Sequence, residues 1–340
     1  MKVSNIARAL TGAAIAVMLV GCGGSSNATL SELPTSQGAA PAARARGGCP
    51  TSRCIAVANL GTTAESYIVF FARDANGNVH PRGKIEGSLT QLNYPAGIAM
   101  DSAGNVYAAN ASGPSITVYA AGAEGDIAPI RTISGSKTQL EEPTGIAVDA
   151  SDRLYVVNDR GNSVTEYSAN ANGNVRQMRI ISGIKTTLRY PWGIALDTKS
   201  NIYVTNGSSS VDVYSAKAKG NVSPARVISG QLTQLAQPEG IAVDAAGYTY
   251  TANPSAGSVL VFAPGADGNV APARMESEPY LYSPDGVALD AQGKMFVSDG
   301  CADNPDFVAV FAAGANDAPS LRTIEGGKTK LSCATSIFVR

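Results

Sequence analysis

Short runs of five or six apolar, β-branched and aromatic residues recur along the chain from about residue 53, each bounded by Gly, Asn, Asp or Pro. In the unit starting at Pro143, G-I-A-V-D is followed by a turn at A-S-D, then R-L-Y-V-V-N, then S-V-T-E-Y, and after another turn R-Q-M-R-I-I. Runs this short, punctuated this way, predict antiparallel strands rather than helices. The first of them repeats as P-A-G-I-A-M-D, P-T-G-I-A-V-D, P-W-G-I-A-L-D, P-E-G-I-A-V-D and P-D-G-V-A-L-D, starting at residues 95, 143, 191, 238 and 284. Spacings of 48, 48, 47 and 46 residues match a four-stranded propeller blade, which takes about 40 to 50.

The two ends of the repeat are incomplete in complementary ways. A degraded sixth copy, A-T-S-I-F-V-R, occupies residues 334–340 and has no blade of its own. The second-strand motif also appears six times, beginning with C-I-A-V-A-N at residue 54, and that first unit lacks an inner strand. Pairing strand 336–340 with strand 54–59 closes the ring and removes two exposed sheet edges. Residues 53–340, 288 in all, then make six units of 48. The expected fold class is all-β: a six-bladed β-propeller of four-stranded antiparallel blades.

Other recurrences carry structural expectations. The turn between third and fourth strands holds Gly77, Gly125, Gly173, Gly220 and Gly268, where a positive φ is wanted, while the last unit reads A-G-A-N-D-A-P without it. Phe71, Tyr119, Tyr167, Tyr214, Phe262 and Phe311 on the third strands are expected between blades. Asn59, Asn110, Asn158, Asn206, Asn253 and Asp299 end the second strands and are expected to cap local backbone. Arg131, Arg179, Arg226, Arg274 and Arg322 recur on the outermost strand, where a solvated, edge-protecting face is expected.

The chain opens differently. Lys2 and Arg8 precede the apolar run A-L-T-G-A-A-I-A-V-M-L-V, too short to span as a mature helix, so residues 1–21 read as a signal peptide. The run ends in L-V-G-C, which resembles a bacterial lipobox and implies cleavage before Cys22 and lipidation of that residue. Gly23 and Gly24 follow with no Asp that would suggest inner-membrane retention, so an outer-membrane anchor is expected in a diderm cell. Residues 22–52, small, polar and Pro/Gly-punctuated, read as a flexible tether, leaving 53–340 as the propeller. A net charge of −1 from 26 basic and 27 acidic residues gives no electrostatic case for nucleic acid, and a monomer is expected. With Cys22 lipidated, four cysteines remain in an exported domain, and their places on the two faces of a propeller pair Cys301 with Cys333 and Cys49 with Cys54.

The frame P-x-G-I-A-V-D with N-x-Y-V-x-N resembles the NHL-type propeller repeats over essentially all of residues 53–340. That resemblance extends to a broad superfamily with gluconolactonase-like, metal-dependent lactonases and streptogramin lyases. The residue between Pro and Gly rings the top of the central channel: Ala96, Thr144, Trp192, Glu239, Asp285 and Thr335. In lactonase-like relatives this position supplies metal ligands; here Asp285 matches and Glu239 is a neighbouring oxygen donor, together suited to a divalent cation such as Ca²⁺. The lyases use a histidine base, whereas the only histidine here, His80, sits on a turn between third and fourth strands. Top loops bring Tyr94, Glu142, Tyr190, Tyr280 and Tyr282 toward Trp192, a surface suited to a small molecule, a glycan or a protein. The first expectation is therefore a lipid-anchored binding module. The alternative is a metal-assisted, lactonase-like hydrolase, for which the motif supplies only two donors.

Overall fold

The computed structural model describes residues 54–60, 66–277, 281–301 and 305–340. The leader, the whole of the tether with Cys22 and Cys49, and Tyr280 lie outside these residues, and so do the expectations that rest on them. Twenty-four strands form six four-stranded antiparallel sheets. Five sheets are contiguous in sequence, as in Pro95–Met100, Val106–Asn110, Ser115–Tyr119 and Arg131–Ser134, running from the channel outward. The sixth is composite: Ala334–Val339 is the inner strand of the sheet that continues with Cys54–Asn59, Tyr67–Ala72 and Gly83–Ile85.

That closing pair runs Ile55↔Val339, Ala56↔Phe338, Val57↔Ile337 and Ala58↔Ser336. It starts two residues earlier than the sequence suggests, because a register shift at Ala58/Asn59 sets Ala334 opposite Asn59. Four other inner strands carry the same irregularity at their tops, at Pro95/Gly97, Pro143/Ile146, Pro191/Ile194 and Pro284/Gly286. The terminal strand is therefore built like its sisters. The third-strand aromatics, none more than 1% exposed, fill the core between blades. Tyr119 and Tyr167 also donate their phenols to the carbonyls of Thr90 and Thr138, at 2.5 and 2.6 Å, so their polar ends are not orphaned.

The frame is rigid because each of its constant residues faces a neighbour. A methyl group on Gly97 would lie 2.1 Å from the carbonyl oxygen of Thr144, and one on Gly193 would lie 2.2 Å from that of Glu239. The glycine of one blade thus receives the backbone of the variable residue of the next, a contact no side chain permits. The frame aspartates tie the opposite end: Asp149 Oδ1 accepts from the Ser151 and Arg153 amides, and Asp290 Oδ1 from those of Gln292 and Lys294. The side chain between Pro and Gly takes part in neither of these contacts, so it varies from methyl to indole to carboxylate.

Adjacent blades are hooked at their outer edges too. The amide of Gly173 (φ 70°) donates 2.7 Å to the carbonyl of Thr132 on the preceding blade, and Gly125, Gly220 and Gly268 repeat the contact. In the unit without that glycine, Asp317 adopts φ 47° and donates 2.7 Å to Met275, a conformation Asp tolerates better than most residues.

The outer-strand arginines correct an expectation. Instead of lying on a solvated face, Arg131, Arg179, Arg226 and Arg322 are half-buried clamps across the blade boundary, while Arg274 donates to Tyr250 of its own blade at 3.0 Å. Arg179 donates to the carbonyls of Ala216 and Ala218, at 2.6 and 3.0 Å, with its guanidinium 5.8 Å from the Tyr155 ring centre. Arg226 donates 2.9 Å to Ala266 and lies 5.6 Å from Tyr203. The outer strand lies against the next blade's turn, and free carbonyls there capture the planar fork.

Cys301 and Cys333 are joined, tying the loop after Met295–Asp299 to the residue before the closing strand. Cys54 is also disulfide-bonded, and the proposed partner Cys49 lies outside the described residues. Among the described residues, no helix is long and apolar enough to cross a membrane.

Candidate functional site: the mouth of the central channel

The inner strands enclose a channel of about 280 Å³. Of the six variable residues, Ala96, Thr144, Trp192, Asp285 and Thr335 line it. Glu239 does not. It is half-buried at the rim, because its blade's regular inner strand begins only at Ile241 and the Glu239 and Gly240 amides are held by Ala252 and Asp285 carbonyls, at 3.0 and 2.8 Å. The hydroxyls of Thr144 and Thr335 are engaged as donors, to the carbonyl of Trp192 at 2.9 Å and to that of Pro95 at 3.0 Å. They stitch neighbouring blades while lining the channel.

Asp285 is different. Among the described residues it is the only ionisable side chain lining the channel, and it is 5% exposed. Its Oδ2 has no hydrogen-bond partner, and Oδ1 has only a 3.5 Å contact from the Ser283 hydroxyl. Burial, reinforced by the negative charges of Glu239, Asp299 and Asp306, pushes its pKa up to about 9. Burial lifts Glu239 to about 7. Asp299 rises to about 6 for the same reason, against hydrogen bonds from the Ser283 and Tyr282 amides that favour its charge. Three further acids thus act on Asp285, Glu239 from the preceding blade and Asp299 and Asp306 from its own, and Asp306 Oδ1 accepts from the amides of both Cys301 and Ala334. The hydroxyl of Ser298, on the strand beside Asp285, is also buried without a partner.

Sequence reasoning placed Asp285 and Glu239 in one neighbourhood but missed Asp299 and Asp306. A signal for Asp299 was present: it stands where the five other blades carry Asn. Those asparagines are fully buried and accept loop amides, as Asn110 does from Asn93 at 2.9 Å and Asn206 from Arg189 at 3.1 Å. The change to Asp keeps the cap, with Oδ2 accepting from the Tyr282 amide at 2.9 Å, and adds a charge.

The top-loop residues surround the mouth without lining the channel. Tyr94, Tyr190 and Tyr282 are 43%, 59% and 46% exposed, and Glu142 is ion-paired with Arg160. Tyr94, Glu142 and Tyr190 each precede the frame proline with φ of 58°, 55° and 49°, which turns the loop sharply into the inner strand. His80 is exposed on the turn between Tyr67–Ala72 and Gly83–Ile85, at the opposite end of the blade from Thr335.

A divalent metal does not fit this donor set. Ca²⁺ takes six to eight oxygens, whereas here carboxylates come only from adjacent blades, the two threonine hydroxyls are engaged, and Ala96 and Trp192 complete the ring. Among the described residues no group of three or more His, Cys, Asp or Glu is arranged to hold a metal ion.

No protein-family model matches the chain, and no curated protein matches it in sequence. Solved structures do match in shape. A protein of unknown function from Bacteroides caccae is similar with a TM-score of 0.61 and 11% identity, over 84% of this chain and 98% of that one. A catalytically inactive histidine-to-alanine variant of virginiamycin B lyase from Staphylococcus aureus, with quinupristin, is similar with a TM-score of 0.50 and 11% identity, over 82% and 88%. At such identities the likeness is one of fold, and it agrees with the six sheets: the chain is a six-bladed β-propeller. Propellers carry many unrelated chemistries, so function must come from the site.

Proposed function

We propose that this chain is an exported, lipid-anchored binding module whose ligand site is the channel mouth on the top face. The observation that carries the site is Asp285: a carboxylate oxygen buried in the channel wall without a partner, beside the equally unpartnered hydroxyl of Ser298 on the neighbouring strand. Leaving such a group unpaired costs about 1–3 kcal/mol, a cost a ligand would remove. Neither the lyase's chemistry nor a lactonase's finds its groups here, since the only histidine lies at the far end of its blade and the mouth offers no metal shell. A thermal-shift screen with amines, carboxylates, sugars and divalent salts tests the site. Compounds that stabilise the parent should fail to stabilise the Trp192→Ala, Glu239→Gln, Asp285→Asn triple variant; equal stabilisation of both would move the site elsewhere.

The anchoring reading rests on the leader and on L-V-G-C, residues 19–22. Cys22→Ser is expected to leave the propeller's thermal unfolding unchanged while moving the protein from the membrane to the soluble fraction. Retention in the membrane fraction after a high-salt wash would sink the lipid reading and, with it, placement at the envelope by that lipid.

A further inference from the structure

We infer that the channel mouth takes an organic cation, an ammonium group carried on a small apolar body. This rests on the reading of the mouth as the binding site and names the ligand's chemistry. Three features of the mouth converge on it. First, the charged groups that act on Asp285 are all acids, Glu239, Asp299 and Asp306, with no basic side chain among them. In a chain with 26 basic and 27 acidic residues, four carboxyls gathered without a counter-charge are an exception. Glu166, by contrast, is paired with Arg153 and Arg179, and Asp290 with Arg73. The unpartnered Oδ2 of Asp285 is the point at which an incoming cation would be met.

Second, below Asp285 the channel carries almost no polar side chain. Ile98, Ile146, Ile194, Ile241, Val287 and Ile337 contribute one aliphatic residue from each blade, and the few other polar side chains lining it are Thr144, Trp192, Thr335 and Ser336. Ser336 is occupied, accepting from the Ile98 amide at 3.3 Å. A hydrated inorganic ion gains nothing from such walls, but a short hydrocarbon does. The space of about 280 Å³ suits a body of a few heavy atoms.

Third, the indole of Trp192, half-buried, lines the same ring. An indole face attracts an organic ammonium most strongly among the aromatic side chains and gives a metal ion no donor. Carboxylate, indole and aliphatic wall together describe the two ends of one amphiphilic cation. A divalent ion, which needs a shell of oxygens, is disfavoured by the second and third of these features, the aliphatic wall and the indole.

Isothermal titration of the full chain in non-ionic detergent tests this with n-butylammonium, its neutral analogue n-butanol, its anionic analogue butyrate, and Ca²⁺ alone. The ammonium is expected to bind at least tenfold more tightly than the alcohol or the acid, with Ca²⁺ not competing. Asp285→Asn should weaken it about tenfold, Glu239→Gln less, and Trp192→Ala more than Trp192→Phe. Equal binding of the three butyl compounds, abolished by the substitutions, would overturn the cation and leave the mouth as the site. Binding of Ca²⁺ that displaces the amine would replace the organic cation with a metal. Amine binding that survives both Asp285→Asn and Glu239→Gln would overturn this inference and the placement of the site together. Should none of the four probes bind, the organic cation is overturned as well.

Discussion

A chain lacking residues 334–340 is expected to lose cooperative thermal unfolding, as read by far-ultraviolet circular dichroism. The missing strand buries Ala334, Ile337 and Val339, at 0%, 6% and 8% exposure, against Ile55, Val57 and Phe296. Burial of Ile337 and Val339 stabilises by roughly 1.5–3 kcal/mol each, and of Ala334 by less, and the ladder to Cys54–Asn59 is lost with them. The strand also grips the second blade: Thr335 donates to the Pro95 carbonyl at 3.0 Å, and Arg340 to that of Ser102 at 2.7 Å. These losses together rival the whole stability of an ordinary domain, about 5–15 kcal/mol. The Cys301–Cys333 bridge cannot compensate, because it fixes the entry to the strand and not the strand itself. A truncated chain that melted cooperatively within about 3 °C of the parent would show that ring closure contributes little.

Asp285→Asn is expected to stabilise the metal- and ligand-free protein at alkaline pH, by several kcal/mol at pH 8, since each pH unit above the unfolded value costs the parent about 1.4 kcal/mol. The sign follows from the carboxyl's proton affinity. Its pKa is near 4 in the unfolded chain and about 9 in the folded one. Its contribution is fully present below about pH 4 and is lost as pH rises toward 9, because the folded state holds a proton that the unfolded state releases. Glu239 at about 7 and Asp299 at about 6 add slope in the same direction. Asp149 and Asp290 act oppositely. Burial would raise them, but hydrogen bonds from Arg153 and Ser151 in one case, and from Arg73, Lys294 and Gln292 in the other, hold them below the usual range. Their contribution is present above about pH 4 and is lost as pH falls below it, so the parent should be most stable near pH 4. Urea unfolding at pH 5, 7 and 9 checks this: the gap between variant and parent should widen with pH. A constant gap would mean that Asp285 is not the group that titrates.

The blade count, the strand order and the closure of the ring follow from the sequence by itself, because each rests on local and periodic chemistry. A strand of alternating neighbours, a turn that needs Gly77 or Gly125, and a frame returning every 46 to 50 residues are properties of short stretches read one at a time. The third-strand aromatics were legible for the same reason, and so was the pairing of Cys301 with Cys333 once the faces were assigned. What a residue does across a blade boundary was not legible. The arginines at 131, 179 and 226 look like solvated edge residues until the next blade's carbonyls are set against them. Glu239 and Asp285 share a frame position, yet Glu239 stays at the rim while Asp285 is enclosed, and only the start of the inner strand at Ile241 separates their fates. Asp299 joins Asp285 because their strands pair with Pro284 opposite Asp299, and Asp306 comes from the loop that follows in the same blade. Burial and charge coupling are properties of pairs distant in sequence, so the tertiary structure alone decides which acid is left without a partner.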